Sequence, residues 1–176
     1  MSLVFQIIIY ILRYKIHVSI NLDYIDILNP HIKKTLISKI KSHNIGSYLT
    51  LEILESEKVS NFNIVNDFIA EVKKYGVKIA IDDFGTGFSN YENILNLNID
   101  YIKIDGSLIK KIDEDIYLNL IKSIVLFSKQ QKIKVVAEFV SDLKILRYVK
   151  NIGIDYSQGY YIGKPTNINE LIEEKE

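Results

Sequence analysis

The strongest constraint in this sequence is an alternation. Six short segments rich in β-branched and aromatic residues recur: HVSINL (17–22), YLTLEIL (48–54), KIAIDDF (78–84), YIKID (101–105), KVVAEFV (134–140) and YSQGYYI (156–162). Each reads as a strand. Helical patterns lie between them, at roughly 31–43, 61–75, 89–96, 113–131 and 142–151. In the fourth, Ile116, Leu120, Ile121, Ile124 and Phe127 recur at helical spacing. Asp113 and Asp142 suit N-caps, and Gly76 and Gly153 suit helix ends. Strands alternating with helices imply a parallel sheet. Two architectures fit: an open doubly wound sheet, or a (β/α)8 barrel. No Gly-rich dinucleotide fingerprint follows the first strand, which weakens the first option. A full barrel takes about 250 residues. At 176 residues, the expected fold is α/β, an incomplete barrel lacking its opening strands and helix. The expected layout is one partial domain over 1–176: an apolar helix in 1–16, βα repeats in 17–165, and a C-terminal helix or tail in 166–176.

The polar residues of these strands fall at one end. Asn21, Glu52, the pair Asp82 and Asp83, Lys103 and Glu138 sit late in their segments, while Gln158 sits early in the last. In a parallel barrel the C-terminal strand ends meet on one face, where active sites lie. Adjacent carboxylates repel, so a cluster of them calls for cations. Asn21, Glu52, Asp82, Asp83 and Glu138 form an all-oxygen set suited to Mg²⁺ or Mn²⁺. Cysteine is absent and none of the three His ends a strand, so zinc is disfavoured. Two neighbouring aspartates reach two ions, which together clamp the attacking and leaving oxygens of a phosphoryl displacement. Lys103 would hold the attacking water or a phosphate oxygen. On this reading Lys103→Ala abolishes hydrolysis and leaves the fold intact.

Each residue also has a plainer role. A strand-end Asp caps the next helix, Glu52 and Lys103 form a structural ion pair, Asn21 makes an Asx-turn, and Gln158 satisfies backbone groups. Singly, these roles are favoured; together, they leave the common strand end as coincidence. The charge balance, 22 basic against 22 acidic residues, gives no excess for a nucleic-acid polymer or an anionic membrane. The apolar run 3–14 is short of the roughly 20 residues of a membrane span. It lacks a small-residue cleavage site and reads as a buried helix. The absence of Cys suits a cytoplasmic location, even for a domain of a membrane-attached parent.

DDFGTGFSNYENILNLNIDYIKIDGSLI (82–109) resembles the most recognisable segment of the EAL domain, the cyclic di-GMP phosphodiesterase family. LTLEILES (49–56), VSINL (18–22), KVVAEFV (134–140) and GIDYSQGYYIGKP (153–165) resemble other segments of that family, in its order. The resemblance implies a TIM-like barrel that hydrolyses cyclic di-GMP to the linear dinucleotide with Mg²⁺ or Mn²⁺. It implies metal ligation by Asn21, Glu52, Asp82, Asp83 and Glu138, and water positioning by Lys103. Gln158 and Asp105 would contact the substrate. Glu55 would anchor a loop running from Phe84 through Gly85, Thr86 and Gly87 to Asn90, which in the family orders the metal site and supports a homodimer.

The departures are specific. The family's name-giving Glu strand should precede Asn21 by many tens of residues, and this chain has twenty there. Phe139 stands where the family has Gly, and Ser141 where it has a second Glu. These changes imply little or no phosphodiesterase activity. Three readings follow: an EAL-type phosphodiesterase, a degenerate module that binds cyclic di-GMP or a protein without hydrolysis, and an unrelated metal-dependent barrel hydrolase.

Overall fold

The computed structural model describes residues 8, 11–54, 62–85 and 91–167. Six strands form one sheet: β1 (Val18–Leu22), β2 (Leu49–Leu54), β3 (Lys78–Phe84), β4 (Tyr101–Ile104), β5 (Lys134–Ala137) and β6 (Tyr156–Ser157). Their spatial order is β1-β2-β3-β4-β5-β6, and every neighbouring pair is parallel. This order decides between the two architectures. A doubly wound sheet reverses its strand order at a switch point. Here each strand lies beside its predecessor, so right-handed crossovers place all helices on one face. The architecture is a TIM-like barrel wall, and the sheet formed by the described residues is not closed, with β1 and β6 at its edges.

The two faces of the wall differ because side chains alternate along a strand. On the outer face Leu51, Ile53, Ile79, Ile81, Ile102, Ile104, Val135 and Ala137 are buried. They join one apolar cluster with Phe68, Ile69 and Val72 of helix Phe62–Lys73, Ile121 and Ile124 of helix Asp115–Gln130, and Val149 of helix Leu143–Asn151. The alternate positions, among them Ser19, Thr50, Glu52, Ala80, Tyr101, Lys103 and Val136, line a cavity of about 430 Å³ on the inner face. Ile8 and Ile11 pack with Ile45 in a second, smaller cluster, and residues 11–14 are helical. Among the described residues no helix is long and apolar enough to cross a membrane.

Most helix boundaries follow local chemistry. Asn29 caps helix Pro30–His43 by accepting from the N–H groups of His31 and Ile32, and Pro30 opens the first turn, where its missing N–H is harmless. Asp142 caps helix Leu143–Asn151 through Ile145 N–H at 2.9 Å, as its position predicts. Asp113 does not cap: Glu114 takes the cap position, and Asp113 pairs with Lys144 at 2.6 Å instead. Ile116 and Leu120 are exposed rather than core, because the helix buries the stripe through Ile121, Ile124, Val125 and Ser128. The fifth and sixth strands are shorter than their sequence patterns. β5 stops at Ala137 because Phe139 turns to φ +56°, which leaves the pleated ladder. The short helices Tyr24–Leu28 and Gly106–Ile109 were not legible by periodicity, since neither spans two turns.

One device recurs at the opposite end from the polar rim. Asp100 N–H donates to Ile79 O, and Ile79 N–H donates back to Asp100 Oδ2 at 3.0 Å. Asp155 N–H and Val135 make the same reciprocal pair at 3.1 and 2.9 Å. Lys73 and Lys78 hold the Asp100 carboxylate at 2.8 and 3.0 Å. Burial works to raise the Asp100 carboxyl, but Lys73, the Ile79 N–H and Lys78 outweigh it and hold the group below its usual range. A depressed carboxyl contributes stability above its unfolded value, near 3.9, and loses it as pH falls through the folded value. Asp100→Asn keeps an acceptor for Ile79 and loses the charge. We expect it to cost about 2 kcal/mol at pH 7, with the deficit closing as pH falls through the folded value. Urea midpoints across that range test this, and an unchanged midpoint at pH 7 would refute it.

Candidate active site

Lys103 lies at the centre of the polar rim. Its Nζ is 2.8 Å from Glu52 Oε2, 2.8 Å from Asp82 Oδ1 and 2.9 Å from Glu138 Oε1. Residues of β2 and β3 and the one just past β5 thus converge on the ammonium of a β4 lysine. Lys103, Glu52 and Asp82 are nearly inaccessible, at 6%, 9% and 9% exposure. A buried ion survives only when paired and hydrogen-bonded. Burial alone would favour the neutral amine, but Asp82, Glu138 and Glu52 overcome it and push the Lys103 ammonium well above its ordinary value. Burial pushes the Glu138 carboxyl up; Lys103 pulls it back, and Asp82 and Asp83 push further. The structural ion pair between Glu52 and Lys103 is therefore present, as one part of a larger cluster.

Adjacent strand residues ordinarily face opposite sides, so Asp82 and Asp83 should diverge. Here the pairing of β3 with β4 breaks register between Ile81 and Phe84. Asp83 takes φ +57°, and its N–H donates to Asp82 Oδ1 at 3.0 Å. A bulge of this kind re-aims a side chain. Carboxylate oxygens of Asp82, Asp83 and Glu138 consequently lie within 4.8 Å of one another. Burial raises the Asp83 carboxyl, the charges of Asp82 and Asp105 raise it further, and Lys103 offsets part of this. One ammonium does not balance this many acids. The hard oxygen set and its charge deficit suit a hard divalent cation.

The other residues singled out by sequence take varied positions. Asn21 is exposed on β1, in register with Glu52. Gln158 lines the same inner cavity as Glu52 and Lys103, while its backbone donates to Ala137 O at 2.8 Å and accepts from Val140 N–H at 3.0 Å. Asp105 caps helix Gly106–Ile109, with Oδ1 accepting from Ser107 N–H at 2.8 Å. Burial opposes ionisation of Asp105, but hydrogen bonds from Ser107 and Gly106 hold its carboxyl below the usual range. Phe84 ends β3 as a fully buried core residue, 5.6 Å edge-on from Tyr91, which stands 4.8 Å from Phe127. Gly85 takes φ +98°, and a Cβ there would meet Leu108 Cδ1 at 2.5 Å, so the tight turn does need glycine. Glu55, Thr86 and Gly87 lie outside the described residues. Ser141 donates from Oγ to Asp142 Oδ2 at 3.1 Å, turned to the helix cap.

Sequence reasoning passed over Ser19, Thr50, Tyr101 and Tyr156, which line the cavity beneath the rim. Each lies two residues before Asn21, Glu52, Lys103 or Gln158, so the period of two along a strand was the available signal. The assembly offers a buried ammonium and a carboxylate set able to hold a cation, above a cavity that admits a polar ligand.

The EAL domain family profile matches residues 4–165. Over 139 residues the chain is 41% identical to the cyclic di-GMP phosphodiesterase PdeA of Borreliella burgdorferi, covering 78% of this chain and 20% of that protein. It is 33% identical over 160 residues to the cyclic di-GMP phosphodiesterase PdeF of Escherichia coli, covering 90% of this chain and 21% of that one. The chain thus spans about a fifth of the length of these curated relatives. The fold is similar to that of the EAL enzyme Bd1971 in its cAMP- and cyclic di-GMP-bound form, with TM-score 0.83 and 25% identity over 91% of this chain and 43% of that one.

Proposed function

This chain belongs to the EAL domain family, and from that premise we propose that it is a cyclic di-GMP module whose rim binds the dinucleotide with a divalent cation and hydrolyses it slowly. Family membership removes the unrelated hydrolase from consideration. The observation that carries the reading is the convergence of Glu52, Asp82 and Glu138 on Lys103, with Asp83 brought alongside. Asp82, Asp83 and Glu138 would hold Mg²⁺ or Mn²⁺, with Glu52 and Asn21 on the adjoining strands. When bound, the metal supplies Lewis-acid stabilisation of phosphoryl oxygens and a water acidic enough to attack at neutral pH. Lys103 stays protonated and donates to the attacking water or to a phosphate oxygen, balancing charge as it builds. Glu138 would accept the proton of the attacking water. Gln158 and Asp105 face the dinucleotide. The module acts in the cytoplasm and is a candidate homodimer.

Slow turnover follows from Ser141. Ser141 Oγ serves the helix cap through Asp142 and adds no charge to the rim. Residues that support metal ligands are typically worth 10–100-fold in affinity or activity. Ser141→Glu is expected to raise turnover by about tenfold. Incubation with cyclic di-GMP and Mn²⁺, with linear product followed by chromatography, tests both statements. Wild type as fast as Ser141→Glu would refute the role given to Ser141. The same residue favours a second reading, binding without hydrolysis; that reading holds if titration detects the dinucleotide and no linear product forms. If cyclic di-GMP is neither bound nor cleaved, with or without Mn²⁺, the whole functional reading fails.

A further inference from the structure

Phe139 is in an unfavourable position by every local measure. It follows Glu138 directly, yet its backbone lies at φ +56°, a region that bulky side chains rarely adopt. Such strain persists only where the surroundings hold it, and it clusters at functional sites. Core packing does not account for it, because Phe139 remains 54% exposed.

The ring is nevertheless seated. A Cβ on Gly106 would stand 2.7 Å from Phe139 Cβ and 3.0 Å from Cγ, so the ring stem occupies space that only glycine leaves open. Lys110 Nζ lies 3.7 Å from the ring centroid. Gly106 and Lys110 are four positions apart on one helical turn, so both meet the ring from the same side. With Lys110 over one face, just over half of the residue still meets solvent. The ring directly follows Glu138, whose carboxylate pairs with Lys103 and lies within 4.8 Å of Asp82 and Asp83, so it borders the carboxylate cluster.

We propose that the exposed ring of Phe139, with the Lys110 ammonium over one face, is a stacking platform for a purine base of the cyclic dinucleotide. The inference rests on the functional reading above and adds how the base, rather than the phosphate, is recognised. A π-face accepts any nucleobase. Glu138 and Phe139 are consecutive, so one short segment addresses the phosphodiester with a carboxylate and the base with a ring. Lys110 fixes the ring orientation through its cation–π contact. Phe139 is thus a substrate-binding residue, and that role offsets the cost of its backbone.

The sequence contains no Trp, so Phe139→Trp carries a single indole at the platform. Titration of that variant with cyclic di-GMP and Mg²⁺ should quench its emission saturably. Phe139→Leu should bind about tenfold more weakly, and Phe139→Tyr about as well as wild type. Phe139→Gly relieves the backbone, so it should melt at a higher temperature than wild type while also binding about tenfold more weakly. A merely structural role would not produce this opposition of stability and affinity. If wild type binds and the Leu and Gly variants match it, the platform is wrong and the functional reading stands. If wild type does not bind cyclic di-GMP at all, both fall.

Discussion

Replacing Lys103 with methionine should cost the protein about 3–5 kcal/mol of stability and lower the cyclic di-GMP turnover proposed above by at least about a hundredfold. From sequence alone Lys103 reads as removable without harm to the fold; its 6% exposure and three carboxylate partners argue otherwise. Methionine keeps the length and removes the charge, leaving buried Glu52 and Asp82 and half-buried Glu138 together without the ammonium. The deficit should depend on pH in a defined direction. Burial already raises the Glu138 carboxyl in the wild type. A carboxyl raised on folding destabilises above its folded value, and that penalty is relieved as pH falls through it. Loss of Lys103 deepens the penalty, so wild type and variant should differ most near pH 8 and least near pH 5. On the alkaline side the sign reverses. The raised Lys103 contributes fully below its unfolded value of about 10.4, and that contribution disappears only as pH rises through the higher folded value. Urea midpoints at pH 5 and pH 8 read the effect; a variant as stable as wild type at pH 8 would show that the cluster does not depend on its lysine. Mn²⁺ should also raise the melting temperature of the variant more than that of wild type, because the freed carboxylates gain an ion in place of the ammonium.

The second large effect is expected at Phe84. Phe84→Ala should cost about 3–5 kcal/mol, whereas Phe84→Leu should cost under about 1.5 kcal/mol. The ring is fully buried, edge-on to Tyr91, which is in turn edge-on to Phe127 of helix Asp115–Gln130. This aromatic row ties the end of β3 to two helices. Phe84 is also where β3 regains register with Ile104 after the bulge. Its truncation should therefore loosen the backbone that aims Asp82 and Asp83. Two readouts follow: the urea midpoint falls, and the stabilisation given by Mn²⁺ shrinks beside that of wild type. A loss below about 1 kcal/mol in Phe84→Ala would contradict the assignment of this ring to the core.

Much of this molecule was legible from local chemistry. The β-branched runs located β1 to β4 to within a residue or so, because a strand buried on its outer face needs apolar residues at every second position. Asp142 and the helix it caps were legible for the same kind of reason, a hydrogen bond between near neighbours. Asp113 misled because a cap and an ion pair make equal use of an aspartate, and only the approach of Lys144, 31 residues away, settles which occurs. β5 and β6 ran short because strand propensity continues through Glu138, Phe139 and Val140, while the backbone at Phe139 does not.

The sequence by itself determined that carboxylates, an amide and a lysine would stand at one end of consecutive parallel strands. That follows from the period of two and from the direction of the chain, both local properties. Only the tertiary structure decided that Asp82 and Asp83 share a site. Alternation sends neighbours apart, and it took the register break against β4, with Asp83 at φ +57°, to bring both to Glu138. Tertiary structure also decided that one ammonium would be shared three ways, since Glu52, Asp82, Lys103 and Glu138 are set within hydrogen-bonding distance by sheet stagger and curvature. Those depend on how whole strands pack, and no short stretch of sequence encodes them.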